Sequence, residues 1–408
     1  MAQAQRHSGQ RRTAGTARSV EDHAADVAEL LGPLLTRPPE TVRLDDALGR
    51  ALSHVVTSPV DLPLFRNSQM DGFAVDAASV ASVPATLPIA ATVPAGPAEP
   101  APHVPGTAVR IMTGAVMPDG ADAVVPVEDT EVSDGKVTVQ RSRGVGDFVR
   151  ERGSDVRTGM LLLPAGTVLG PRHLGVLAAV GLGSVAVRTR PRVAVITTGA
   201  ELVDSGTIPD PGQIYDSNGP ALASSLRANG AEVAVVDRSS DEPDAFRTAL
   251  RRAVARAELV ITSGGVSMGD YEVVKDVLTD LGARFGPVAM QPGGPQGLAL
   301  VDEVPVLTFP GNPVSTMVSF EVFLRPLLRR AVGLPPIPRE DSVLDHDVTS
   351  VAGKRQFLRG RRTDTGVEVL SGPGSHLVAA FAWADVLIDV PADVTSLAAG
   401  ERVKVWPL

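Results

Sequence analysis

The fold is decided by four apolar stretches between residues 190 and 332: RVAVIT (192–197), AEVAVVD (231–237), ELVIT (258–262) and VPVLTF (304–309). Segments with a helical pattern separate or follow them, at about 218–229, 243–257, 270–282 and 313–331. Wholly apolar strands that alternate with helices are typical of a parallel sheet covered on both faces. This region is therefore predicted to form a doubly wound α/β domain.

The regions on either side have a different pattern, in which short β-type runs are joined by Pro-rich and Gly-rich turns. Helices are predicted from Val20 to Leu35, around Leu44 to Ser53 and from Pro171 to Val180. The final ~70 residues return to short β-type runs, which favours a small barrel or sandwich. The fold class that results is a multidomain α/β protein with β-rich modules, in which β-rich N-terminal parts precede the α/β domain and a small C-terminal β-barrel follows it.

Composition excludes several classes of function. The 408 residues include 38 Lys and Arg against 47 Asp and Glu, a net charge of −9, which argues against a nucleic-acid binder or an anionic-membrane binder. The chain has no cysteine, so disulfides, thiolate nucleophiles and cysteine-ligated metals are excluded, and a cytoplasmic location is expected. No apolar run reaches the ~20 residues of a membrane-spanning helix, and residues 1–19 are predicted to be a mobile tail.

Three of the apolar strands run directly into small polar turns, TGAEL, SGGVSMGDY and PGNPVS. Ligands in open α/β sheets bind beyond the carboxyl ends of the strands, where glycines let the backbone approach a phosphate. Such turns are also routine in this fold. Neither a P-loop nor a clean GxGxxG motif follows a strand. A phosphorylated ligand other than an ordinary nucleoside triphosphate or dinucleotide is expected.

Three carboxylates follow the same strands: Glu201, Asp216 and Asp270. Each has a structural alternative, because Asp270 and Asp216 can cap helices and Glu201 can complement a helix dipole. Together, beside a phosphate, they indicate Mg²⁺, which binds one or two carboxylates plus substrate phosphate. The seven histidines show no paired spacing that would indicate zinc.

Six segments in register then identify a resemblance: PLFRNSQMDGFAV, VRIMTGAVMPDGADAVVPVE, RPRVAVITTGAEL, GQIYDSN, ITSGGVSMGDY and FPGNPVS. From about Val20 to the C-terminus, the chain closely resembles the molybdopterin molybdenumtransferase family, of the MoeA and gephyrin E-domain type. The resemblance implies an elongated homodimer that inserts molybdate into adenylylated molybdopterin and releases AMP. Further partners that it implies are the molybdopterin adenylyltransferase and recipient molybdoenzymes.

The resemblance also implies a four-part subunit after the tail. Its parts are a linking domain (20–57 with 148–189), a β-rich insert (58–147), the α/β molybdopterin-binding domain (190–332) and the C-terminal β-barrel (333–408).

The resemblance assigns roles to individual residues. Catalytic roles fall on Asp71, Thr113, Glu201, Asp216 and Asp270, with Asp71 and Thr113 reaching in from the partner chain; Glu201, Asp216 and Asp270 would hold Mg²⁺. The residues implied in substrate binding, around the pterin nucleotide and near molybdate, are Thr198, Gly199, Ser217, Asn218, Ser263, Gly264, Gly265, Ser267, Pro310, Gly311, Asn312, Pro313, Ser315, Arg355 and Ser375.

The chain also departs from the family pattern. Ala200 and Ser154 stand where the family usually has acidic residues, and Arg66 changes its usual FDNS segment. Lysines that the family commonly places in one loop appear here as Pro287, Gln291 and Gly294; Lys354, Arg355 and Arg359 are candidate substitute cations. The alternative hypothesis is therefore a paralogue that carries the pterin nucleotide or handles another oxyanion, such as tungstate.

Overall fold

The computed structural model describes residues 17–97, 99–266 and 272–408, in two compact units. One unit is Thr41–Ala186, and the other combines the described residues up to Glu40 with Val187–Leu408. The helices are α1 (Val20–Leu30), α2 (Gly32–Leu35), α3 (Pro171–Ala179), α4 (Asn218–Ala228), α5 (Pro243–Val254), α6 (Val273–Asp280), α7 (Pro313–Ser319) and α8 (Arg325–Ala331).

The strands fall into three stretches of the chain. The first stretch contains β1 (Glu40–Arg43), β2 (Val56–Thr57), β3 (Asn67–Ser68), β4 (Gly72–Val75), β5 (Ala85–Val93), β6 (Ala108–Ile111), β7 (Ala123–Pro126), β8 (Thr130–Ser133), β9 (Lys136–Val139), β10 (Val149–Arg150), β11 (Leu161–Leu163) and β12 (Ser184–Val187). The second contains β13 (Arg192–Thr198), β14 (Leu202–Val203), β15 (Ile214–Tyr215), β16 (Glu232–Ser239), β17 (Leu259–Ser263), β18 (Arg284–Pro287), β19 (Met290–Gln291), β20 (Pro295–Val301) and β21 (Val304–Phe309). The third contains β22 (Glu340–Val343), β23 (Val348–Thr349), β24 (Arg355–Arg362), β25 (Val367–Val369), β26 (Val386–Val390), β27 (Ser396–Leu397) and β28 (Arg402–Pro407).

The α/β sheet has six strands in the order β16-β13-β17-β21-β20-β18. The four apolar stretches form its parallel part, as predicted, but β20 and β18 are antiparallel, so the sheet is mixed. The sequence did not predict these two strands because Pro287, Pro295 and Gly297 interrupt them. α5 and α6 cover one face, while α1, α4 and α7 pack on the other.

The first helix belongs to this packing. Val20, Val27 and Leu31 are buried in one core with β13, β17 and α4, whereas the family resemblance implied that residues 20–57 group with 148–189. The apolar stripe of α1 explains the difference, because the side chains that cover it come from the α/β sheet and its helices.

The helix predicted over Leu44–Ser53 is reduced to a 3₁₀ turn at Leu44–Asp46. Gly49 has a φ of +72°, which ends helical geometry, and Ala51 then pairs with Val168 as an isolated bridge. The predicted helix 313–331 is continuous, but Phe320–Leu324 is a π-turn between α7 and α8. Pro326 lacks the N–H of a regular helix, so a wider turn precedes it.

The unit Thr41–Ala186 contains a six-stranded sheet in the order β7-β4-β6-β5-β9-β8, with a core on each face. β19 joins the C-terminal strands in another six-stranded sheet, in the order β19-β24-β26-β28-β22 with β25 paired to β24, and these C-terminal strands have their own apolar core. Among the described residues no helix is long and apolar enough to cross a membrane.

Candidate functional site

A cleft of about 830 Å³ lies at the carboxyl ends of β13, β17 and β21. We call it the strand-end cleft. It is built within the unit that contains the α/β sheet. The predicted site residues that line it are Thr198, Gly199, Glu201, Asp216, Ser217, Asn218, Ser263, Gly264, Gly265, Pro310, Gly311, Asn312, Pro313, Ser315 and Ser375.

Backbone packing at the floor of the cleft requires glycine. Gly264 has a φ of +105°, and a Cβ atom there would lie 2.6 Å from the Thr198 carbonyl oxygen. A Cβ atom at Gly311 would lie 3.2 Å from the Gly264 Cα. The three strand ends therefore pack with almost no side-chain volume between them, which leaves room for a ligand close to the main chain.

Hydrogen bonds tie the strand ends to the helices that follow them. The Asn218 side-chain amide donates to the Ser263 hydroxyl (2.9 Å) and to the Gly311 carbonyl (2.7 Å). The Thr316 hydroxyl donates to the Pro310 carbonyl (2.6 Å) and lies 3.0 Å from the Ser263 hydroxyl. This network fixes the cleft wall before any ligand binds.

Thr198 is different, because its hydroxyl is buried and has no hydrogen-bond partner in the described part of the chain. The residue lines the cleft and is 6% exposed. A buried hydroxyl without a partner costs free energy. It is therefore a natural point for a polar ligand to contact.

Asp216 combines the two roles that the sequence left open. Its Oδ1 accepts from the Gly219 amide (3.0 Å) at the start of α4, and its Oδ2 accepts from the Thr197 hydroxyl (2.7 Å). The first bond satisfies an amide in the first turn of α4, as a helix cap does, in place of the N-cap residue Ser217, whose side chain makes no capping bond. Each carboxylate oxygen retains a second lone pair, and the residue lines the cleft.

The turn after β13 brings a second carboxylate to the cleft. Gly199 adopts a φ of +149°, and a Cβ atom there would lie 2.6 Å from the Glu201 carboxylate oxygens. The Ala200 amide donates to Asp241 Oδ2 (3.0 Å), so Asp241 holds this turn. Sequence reasoning missed Asp241, although its position just beyond the end of β16 was a usable signal.

Charge is unevenly distributed around the cleft. Its described lining contains four carboxylates, from Glu201, Asp216, Asp241 and Glu272, and one ammonium group, from Lys354. Gln291 and Gly294 line it at two positions where the family resemblance led us to expect lysine. An anionic ligand would therefore need a metal ion or further cations.

The predicted metal set is only partly described. Asp270 and Ser267 lie outside the described residues, and no three His, Asp or Glu side chains in the described ranges form a metal-binding group. Mg²⁺ keeps several waters and uses one or two carboxylates together with substrate phosphates. Glu201 and Asp216 fit that pattern as two carboxylates lining one cleft.

The C-terminal wall depends on an arginine. The Arg359 guanidinium is fully buried, and its Nη2 donates to the Ser371 hydroxyl (2.7 Å) and the Gly372 carbonyl (2.8 Å). Burial lowers the pKa of Arg359, and its Nε and Nη1 have no partner among the described residues. The Val314 amide in turn donates to the Ser375 carbonyl (3.3 Å), which joins this wall to α7.

The structure does not bring Arg355 into the strand-end cleft. Its guanidinium pairs with both oxygens of Asp389, at 2.7 and 2.5 Å, and with Glu21. These bonds raise the pKa of Arg355 and hold the side chain in a separate cavity beside α1. Arg355 therefore supports the packing of the N-terminal helix against the C-terminal strands.

Asp71 and Thr113 lie together in the unit Thr41–Ala186. Asp71 Oδ1 accepts from the Thr113 amide (2.6 Å) and from its hydroxyl (2.8 Å). The backbone bond and then the hydroxyl bond lower the pKa of Asp71. Two segments that are far apart in the sequence thus contribute to one exposed pair, in which the Asp71 carboxylate is ionised.

Comparison with known proteins places these features in a family context. Three family profiles match: the MoeA N-terminal region (domain I and II) over residues 18–181, a probable molybdopterin binding domain over 194–330, and the MoeA C-terminal region (domain IV) over 341–408.

Two proteins of Mycobacterium tuberculosis (strain H37Rv) are similar over nearly their whole length. Molybdopterin molybdenumtransferase 2 is 44% identical, covering 96% of this chain and 100% of that protein. Molybdopterin molybdenumtransferase 1 is 37% identical, covering 95% and 98%. A crystal structure of the molybdopterin biosynthesis MoeA protein from Pyrococcus horikoshii is 32% identical, with a TM-score of 0.81, and the match covers 96% of this chain and 99% of that one.

Proposed function

Because the chain belongs to the molybdopterin molybdenumtransferase family, we propose that it inserts molybdate into adenylylated molybdopterin and releases AMP. The observation that carries the proposal is the strand-end cleft, where residues from several separated segments meet around a glycine floor. Such a floor suits the phosphates of the pterin nucleotide. The Thr198 hydroxyl is positioned to contact them.

We propose that the reaction depends on Mg²⁺, with Glu201 and Asp216 as its protein ligands. Bound there, Mg²⁺ would neutralise charge on the pyrophosphate. Asp241 orients the Glu201 turn through the Ala200 amide, and Thr197 orients the Asp216 carboxylate. No protein nucleophile is required, because the dithiolene sulfurs of the pterin bind the metal that is transferred.

We further propose that the protein acts as a cytoplasmic homodimer, in which Asp71 and Thr113 of the partner chain complete the cleft. The ionised state of Asp71 supports a role beside a metal or a charged substrate. The chain would receive its substrate from a molybdopterin adenylyltransferase and deliver the product to molybdoenzymes.

The decisive experiment incubates the purified protein with adenylylated molybdopterin, Mg²⁺ and either molybdate or tungstate, and follows AMP release. Release that requires Mg²⁺ and molybdate supports the proposal.

Gln291 and Gly294 favour a second candidate, a carrier of the pterin nucleotide or an enzyme for another oxyanion. Stoichiometric binding without AMP release would identify the carrier, and release with tungstate alone would identify the other oxyanion.

A further inference from the structure

One wall of the strand-end cleft is a loop with little regular structure of its own. All six residues from 290 to 295 line the cleft, and we call them the loop wall. Five of the nine residues from 287 to 295 are proline or glycine, which weakens any tendency of this stretch to order itself. The Val288 amide closes the neck of the loop by donating to the Gly294 carbonyl (2.7 Å). Contacts from other parts of the chain must therefore set the position of the loop wall.

The N-terminal segment supplies such a contact. The Arg18 amide donates to the Pro287 carbonyl (3.0 Å), and the Ala289 amide donates to the Arg18 carbonyl (2.7 Å). Arg18 and Val288 form a parallel β-bridge. We call residues 17–19 the strap, because they run alongside the stretch that leads into the loop wall. Two main-chain bonds thus join the strap to the chain directly before the wall begins.

Helix α1 holds the strap in place. The Ser19 hydroxyl caps the helix by accepting from the Asp22 amide (2.9 Å). The Arg18 guanidinium pairs with Asp26 of the same helix (2.6 Å between Nη1 and Oδ2). Arg18 is therefore fixed to α1 both by its neighbour in the sequence and by its own side chain.

The helix in turn shares its core with the loop. Val20 and Val27 of α1 are buried in the same apolar cluster as Val288 and Met290. Because close packing resists displacement, these side chains limit the movement of the chain on either side of Ala289. The strap, α1 and the base of the loop wall thus form one packed unit, although they lie far apart in the sequence.

The C-terminal strands hold the same stretch from β24. The Arg355 amide donates to the Ala289 carbonyl (2.9 Å), and the Gln356 side-chain amide donates to Gln291 Oε1 (2.7 Å). These bonds do not involve the strap. Loss of the strap should therefore loosen the loop wall without unfolding it, which makes the contribution of the strap measurable by itself.

We propose that Arg18 is a positioning residue for the strand-end cleft, whose main chain holds the loop wall where it contacts the bound pterin nucleotide. Arg18 does not line the cleft itself, so it acts through Ala289 and the residues that follow. The inference rests on the proposed function for the identity of the ligand. The pair between Arg18 and Asp26 contributes little by itself, because both side chains are partly exposed, at 27% and 28%.

Two substitutions at one position isolate the main-chain bond. Arg18→Ala and Arg18→Pro both lose the pair with Asp26, but only proline also lacks the amide that donates to Pro287. In AMP release, Arg18→Pro should have a KM for adenylylated molybdopterin about fivefold higher than that of Arg18→Ala. The kcat values should differ by less than about twofold, because the loop wall contributes to binding and not to the chemical step. Denaturant midpoints of the two variants show whether stability differs as well.

A second measurement uses the wild type alone. Coupling between the strap and the ligand is reciprocal, so saturating AMP should slow hydrogen exchange of the Ala289 amide about fivefold. This amide reports the strap directly, because its hydrogen bond is to the Arg18 carbonyl.

Equal KM values in Arg18→Pro and Arg18→Ala would overturn the proposal, and an Ala289 exchange rate that saturating AMP leaves unchanged would do the same. A lower denaturant midpoint in Arg18→Pro with an unaltered KM would show that the strap only stabilises the fold. If the wild type releases no AMP, the transferase function fails, and the exchange of Ala289 with and without AMP alone decides whether the strap is coupled to the cleft.

Discussion

Asp216 carries two physical roles in one carboxylate, a cap on α4 and a place in the lining of the strand-end cleft. The two roles can be separated, because asparagine caps a helix about as well as aspartate but is a weaker ligand for a hard cation. Their separation is the most direct residue-scale test of the metal site.

We expect Asp216→Asn to change the free energy of unfolding by less than about 0.5 kcal/mol while raising the Mg²⁺ concentration for half-maximal AMP release about tenfold. Denaturant unfolding and Mg²⁺ titration measure the two effects. Asp76→Asn is the control, since Asp76 accepts from the Ala78 amide (3.0 Å) at a cap in the other unit. An unaltered Mg²⁺ requirement in Asp216→Asn would leave Asp216 with the capping role alone.

Thr198→Val tests the hydroxyl without a partner. The substitution is nearly isosteric and removes a buried polar group, so stability should hold or rise by up to ~1 kcal/mol. AMP affinity should fall about fivefold, because a ligand contact is lost. Thr262→Val is the matched control: its hydroxyl is also buried and lacks a partner in the described ranges, but it does not line the cleft. Equal AMP affinity in both variants would contradict the role of Thr198.

Sequence reasoning identified cleft residues wherever the chain gave a local signal. Gly264, Asn218 and Gly311 follow apolar strands or lie in recognisable motifs, and the rule for strand ends groups them. Asp241 lies in no recognisable motif. The sequence pattern also does not show which of Arg355 and Arg359 lies nearer the cleft. They lie four residues apart on β24 and therefore share one face of the strand. Only their neighbours distinguish them, Asp389 beside Arg355 and Ser371 beside Arg359.

At the scale of elements, the sequence predicted the parallel strands because continuous apolar runs leave few alternatives. It did not predict β18 and β20, where glycine and proline interrupt the pattern. These two strands flank the loop that contains Gln291 and Gly294, the two cleft positions where lysine was expected. The strands that the sequence did not predict therefore position this side of the cleft.

A histidine in helix α1 makes the stability of the protein depend on pH. His23 is buried against the Phe323 ring, at 4.7 Å between centroids. Burial, followed by the charge of Arg18, lowers the pKa of His23 from 6.5 to about 4, with Asp26 opposing and Arg284 adding to the effect. The folded protein therefore keeps this imidazole neutral in a range where the unfolded chain protonates it.

Stability should consequently be lost as the pH falls from about 6.5 to about 4, and above that range His23 should contribute no pH dependence. The size of the loss is roughly 3 kcal/mol. Unfolding of the wild type and of His23→Leu at several pH values isolates the effect, because all other titrations are common to both. Parallel stability curves for the two proteins would show that His23 titrates normally.

At the scale of the whole molecule, the proposed dimer shares its clefts between chains, with Asp71 from one and Glu201 from the other. Asp71→Asn and Glu201→Gln subunits should each be inactive alone. After random mixing, about a quarter of the clefts contain neither substitution, so AMP release should recover to about that fraction of wild type. Mixed dimers as inactive as either parent would show that both residues act within one chain or that Asp71 has no role.

The placement of α1 has a consequence for how the chain is made. Its buried residues Val20 and Val27, and Leu31 directly after it, share one core with β13 and β17, yet residues Thr41–Ala186 are synthesised between the helix and those strands. While the ribosome translates that whole intervening unit, the apolar side chains of this segment have no sheet to cover them. Exposed apolar surface is prone to aggregation during synthesis, and this exposure lasts until β13 and β17 emerge.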